Sequence, residues 1–242
     1  MDLMCNDQTP TFEEWVEYCF TQGYADFSGY SEDIDTPAAD VREIRFHRIH
    51  DETLTDYLIR LFVAPEFIAD RYTDDQIADA TWFLFGIASS YLHHVRESIV
   101  PVEKQITCLR AVASMYLNLY DKVCGDRGRS PDIDLTSLTG NYSHTKIDGA
   151  VYMIWDMDCI SSPFTFPKEF PHLVDPGFEV LSIILQECKL STCHISALHG
   201  LGHEHYKYPD RCEAIIDQFL STRRIPEWVR EYALLARVGG VM

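Results

Sequence analysis

The residues with the most chemical potential lie between positions 188 and 205: Cys188, Cys193, His194, His199, His203 and His205. His199 and His203 are four apart, so on a helix both imidazoles project from one face. Two such nitrogens are suitable zinc ligands. The metalloprotease pattern needs Glu directly after the first histidine, and here that position is Gly200, while Glu204 follows His203. The protease reading therefore fails. A four-ligand structural site built on His199, His203 and a cysteine from elsewhere remains open. Packing is the competing explanation, because Gly200 and Gly202 would let the histidines hydrogen-bond to a neighbouring helix. The expectation is no cofactor, with zinc at His199 and His203 as the single exception to be tested.

Other candidates carry less. Asp156 and Asp158 stand two apart beside Trp155. On a helix they diverge, and no partner base is visible at a matching spacing, so they read as surface charges rather than acid/base carboxylates. His93 and His94 are adjacent and point apart. His47 and His50 lie beside Arg45 and Arg48 and read as a solvated face. The GDRGR stretch at 125–129 is the one local basic spot, and it lacks the Gly-Lys-Ser/Thr ending of a phosphate loop. No serine elbow, Cys–His signature or glycine-rich dinucleotide loop is present, so no catalytic residue is expected.

The elements that must position these residues are helices. Thr11 caps a helix over 12–21, with Glu13 and Glu14 in its first turn. A second helix is predicted over 53–63 and ends at Pro65. Thr73 and Gln76 form a capping box for a helix reaching about 91, apolar nearly all round through Ile77, Trp82, Phe83, Leu84, Phe85 and Ile87. Pro101 opens a helix to about 123, and a further helix spans 146–159. Residues 26–40, 124–141 and 161–173 read as loops. Asp175-Pro176 begins the next helix as cap and first-turn proline, and Pro209 opens another with Cys212, Ile215, Ile216, Phe219 and Leu220 on one face. No convincing strand is found.

A shift of about 35 residues aligns Ala197-Leu198 with Ala233-Leu234, Val180-Leu181 with Ile215-Ile216, and Ile184-Leu185 with Phe219-Leu220. Val229-Arg230 followed by Ala233-Leu234 resembles the first helix of a HEAT repeat, and Ala214-Ile215-Ile216 the second. SALHGLGH at 196–203 and YPDRCEAIIDQFL at 208–220, with EEWVEYCF at 13–20 and DRYTDDQIADATWFL at 70–84, also resemble a bacterial family without an established activity. The resemblance implies an all-α fold of stacked antiparallel hairpins, a HEAT-like superhelix or short solenoid. One domain over 1–242 is expected, less regular over 1–172 and clearest over 173–242.

Composition bounds the function. The 242 residues carry a net charge of −18, of which −14 falls in residues 1–80, with 19 acids against 5 bases. Such a surface repels phosphates and disfavours direct nucleic-acid binding. No apolar run reaches bilayer length. The N-terminus has no basic leader, and eight scattered cysteines read as reduced, buried thiols in a cytoplasm. The expected function is a non-catalytic interaction module for a basic protein, one version being an immunity protein that neutralises a toxin. The candidate partner-binding residues are Asp26, Glu32, Asp33, Asp35 and Asp40, five acids without a base. The alternatives are a metal-binding protein or metal-dependent hydrolase centred on His199 and His203, and a structural subunit of an assembly. Oligomeric state stays open.

Overall fold

The computed structural model describes residues 9–23, 45–125 and 145–241. Helix α1 (Phe12–Thr21) is opened by Thr11, whose Oγ1 accepts the Glu14 N–H at 3.2 Å while the Glu14 carboxylate accepts the Thr11 N–H at 2.8 Å. Two of the orphan donors at the helix start are thereby satisfied. Its buried face carries Trp15, Val16, Cys19 and Phe20. Helix α2 (Asp51–Val63) ends before Pro65, and α3 (Glu66–Arg71) follows. Helix α4 (Asp74–Phe85) begins with the reciprocal Thr73–Gln76 cap.

That helix stops earlier than its apolar pattern predicts. Gly86 leaves the helical path, with ψ of 178°, and Ile87 is 65% exposed. Ser90, at φ 56°, redirects the chain into α5 (Tyr91–His94). Helix α6 (Val102–Met115) widens into a π turn at Tyr116–Tyr120 and closes as α7 (Asp121–Val123).

The stretch predicted as one helix over 146–159 is broken. Helix α8 (Lys146–Tyr152) gives way to a 3₁₀ turn, Ile154–Asp156, and the chain extends at Met157 before α9 (Asp158–Thr165). Part of the predicted 161–173 loop is therefore helical, with Pro163 inside α9. Helix α10 (Pro171–Glu187) starts at Pro171, so Pro176 sits inside it rather than in the first turn. Pro176 is the sixth residue of the helix, past the unpaired first turn, so it gives up the hydrogen bond that its position would otherwise make to the carbonyl of residue 172. Helices α11 (Ser191–Glu204), α12 (Pro209–Thr222) and α13 (Glu227–Ala236) complete the chain. Among the described residues there is no strand, and no helix is long and apolar enough to cross a membrane. The fold is all-α.

Helix α11 is the axis of the C-terminal half. Helices α8, α10, α12 and α13 and the 3₁₀ turn all pack on it. Twelve of its fourteen residues are buried, which a mix of Ala, Gly, Ser and Leu permits because small side chains let several helices approach at once. Surrounding it are Trp155, Leu181, Ile184, Leu185, Ile216, Phe219, Val229 and Tyr232, all buried. Burying each large apolar side chain is worth about 1.5–3 kcal/mol, so α11 is fixed on several sides. Cys19, Cys108, Cys124, Cys188, Cys193 and Cys212 are buried and form no disulfide.

Candidate metal centre

The C-terminal turns of α11 bring His199 and His203 together as their spacing requires. Their Nε2 atoms are 3.1 Å apart, with the rings at 84° to each other. A third group joins them: Asp156 Oδ1 lies 3.4 Å from His203 Nε2. One ligand atom from each of the three residues falls within 4.8 Å of the others. Zinc bonds of about 2.0–2.2 Å in tetrahedral geometry put neighbouring ligand atoms about 3.4 Å apart. Both short separations lie close to that figure.

Asp156 is the residue that sequence reasoning set aside as a surface charge. The assignment assumed a continuous helix. The break after Tyr152 instead folds the 3₁₀ turn against α11, and Gly200 makes that approach feasible. A Cβ at Gly200 would stand 2.6 Å from the Trp155 Cβ and 2.9 Å from its Cγ. Gly200→Ala must therefore push the 3₁₀ turn outward and carry Asp156 with it. Helix propensity favours alanine by about 1 kcal/mol, and overpacking opposes it by about 1–3. The expected result is a net loss of up to about 2 kcal/mol in urea unfolding together with weakened metal binding. A variant as stable as the parent that also binds metal as tightly would refute the contact.

The far side of His199 is tied down by two hydroxyls. Its Nδ1 lies 2.9 Å from the Tyr232 hydroxyl and 3.0 Å from that of Tyr152, and the two hydroxyls are 3.3 Å apart. An Nδ1–H donating to a tyrosine oxygen fixes the tautomer and leaves Nε2 with its lone pair toward His203. Metal-ligating histidines are commonly held this way. His199 is buried, and burial, with the His203 charge second, pulls its pKa down to about 3. The imidazole is thus neutral, the form that binds metal. In the metal-free protein a single proton fits between the two Nε2 atoms. A cation takes its place.

Beside Asp156 and His203 opens a cleft of about 240 Å³, lined also by Trp155, Glu204 and Lys207 among others. Glu204 is mostly buried, and burial raises its carboxyl to about 7, against a smaller opposing effect of Lys207. The Lys207 Nζ donates to the Phe164 and Thr165 carbonyls at 3.2 and 2.7 Å, closing one wall.

The expected cysteine ligand is not at this site: among the described residues, the third candidate is a carboxylate. Cys188 and Cys193 lie with Asp121 instead. His194 Nε2 contacts the Cys188 carbonyl at 2.9 Å, and His205 Nε2 faces Glu213 at 3.3 Å, so neither joins the centre. Asp26, Glu32, Asp33, Asp35 and Asp40 lie outside the described residues, as does 126–129 of the basic stretch. The site thus defines an all-α protein with a two-histidine, one-carboxylate cluster beside a cleft. Comparison with protein families, with curated proteins and with solved structures finds no match.

Proposed function

We propose that this chain is a metal-binding protein that holds a divalent transition ion, zinc by ligand type, through Asp156, His199 and His203. The observation that carries the reading is the convergence of two imidazole nitrogens and a carboxylate oxygen at separations close to those of zinc ligands. The Tyr152 and Tyr232 hydroxyls behind His199 support it as an outer shell. Three protein ligands leave a coordination position for water, as in catalytic rather than closed structural zinc sites. The cleft gives that position room, and Glu204 provides a carboxyl suited to proton transfer. Metal-dependent hydrolysis is the activity this arrangement would serve.

Calorimetric titration of zinc into chelator-treated protein tests the reading. Binding weakened by more than about 10-fold in Asp156→Asn supports it, since the carboxylate supplies both a ligand and its charge. Identical isotherms for the parent and this variant would end it. A zinc-dependent rate on an activated ester, reduced in Glu204→Gln, would extend it to catalysis.

A second reading, a non-catalytic module for a basic protein partner such as a toxin, is supported by the net charge of −18 and its concentration in residues 1–80. Capture of such a partner at low salt and its release at high salt is the expected behaviour. The HEAT-like reading of 173–242 is supported by the packing of α10 on α11 and α12, α11 on α12 and α13, and α12 on α13.

A further inference from the structure

The opposite end of α11 carries a second convergence of ligand types. Cys188 closes α10, Cys193 lies in the first turn of α11, and Asp121 reaches across from α7. The two sulfurs and one Asp121 oxygen all lie within 4.8 Å of one another. Both cysteines are fully buried. Asp121 is held in place by its Oδ1, which accepts the backbone N–H groups of Lys189 and Leu190, each at 2.7 Å.

We propose that Asp121, Cys188 and Cys193 form a thiolate-rich zinc site that pins α7 and α10 to the start of α11, independent of the histidine centre at its other end. Two features support this. Zinc–sulfur bonds of about 2.3 Å require sulfurs about 3.8 Å apart in a tetrahedral site, so the three groups need to close by no more than about 1 Å. The carboxylate is already oriented by two backbone donors, the arrangement that outer-shell contacts give metal ligands.

The backbone reinforces the argument. The π turn at Tyr116–Tyr120 inserts extra chain into the rod immediately before Asp121. π turns occur mostly as isolated insertions and are concentrated at functional positions. Asp121 is the first residue after that insertion. Binding displaces the thiol protons of Cys188 and Cys193 to solvent and forms two zinc–sulfur bonds, with no change of oxidation state.

Cobalt(II) is the probe. The full chain is stripped with chelator, kept reduced with a phosphine and titrated with cobalt. The expected result is a sulfur-to-cobalt charge-transfer band in the near ultraviolet, saturating at one ion per chain. That band persists in His199→Ala/His203→Ala, which removes the other centre, and disappears in both Cys193→Ser and Cys193→Ala. Nitrogen and oxygen ligands give no such band, so failure of the histidine site leaves it untouched. Absence of the band in the reduced parent protein overturns the proposal, and so does a band that survives both Cys193 variants.

Discussion

His199→Ala is expected to abolish zinc binding at the histidine centre and to destabilise the protein as well. The ligand contribution should exceed about 100-fold in affinity, more than the loss of an outer-shell partner costs. The stability loss, about 2–4 kcal/mol, has a separate origin. The substitution empties a buried volume and leaves the Tyr152 and Tyr232 hydroxyls without the nitrogen between them. His203→Ala separates the two effects. Its side chain is 33% exposed, so stability should fall by less than about 1 kcal/mol while zinc affinity drops as far. Calorimetry and urea unfolding on both variants measure the two quantities. Equal stability losses would contradict the burial assigned to His199, and full zinc affinity in either variant would remove that residue from the ligand set.

The second large effect concerns acid. In the metal-free protein His199 titrates at about 3, well below an ordinary histidine. A folded-state pKa that is depressed favours the native state above the unfolded value, and this contribution drains away as pH falls from about 6.5. Glu204 behaves oppositely. Its folded value of about 7 lies above that of a free carboxyl, so its contribution is complete below about 4.5 and is lost as pH rises through 7. Between pH 4.5 and 7 each effect amounts to about 3 kcal/mol, and they oppose one another. Glu204→Gln removes one side of that balance. The variant should be more stable than the parent at pH 8, by up to about 3 kcal/mol, and the advantage should shrink to nothing near pH 4.5. All other titrating groups are common to both proteins, so the difference between their urea midpoints isolates Glu204. A variant no more stable at pH 8 would show that this carboxyl ionises without penalty.

What the sequence revealed follows from distance along the chain. The Thr11 cap and the Thr73–Gln76 capping box are complete within four residues and are present as expected, and Glu14 adds a reciprocal bond to the first. The His199–His203 pair obeys the same local rule. Asp156 meets His203 across 47 residues, and the contact depends on a break in a stretch whose apolar spacing reads as unbroken helix. The signal that could have found it is Gly200: a glycine inside a buried helix marks a place where another backbone comes close. Asp121 was hidden for a related reason, since a π turn leaves little trace in an apolar pattern that continues through it. Ile87 shows the reverse error, an apolar residue beyond a glycine that ends the helix and leaves it exposed.

The most direct test is a zinc-soaked crystal measured on both sides of the zinc absorption edge. An anomalous peak is expected about 2.1 Å from His199 Nε2, His203 Nε2 and an Asp156 oxygen, with the two imidazoles turned from each other toward the ion. A map without a peak there, with the direct His199–His203 contact intact at saturating zinc, would contradict the assignment of these three residues to a metal.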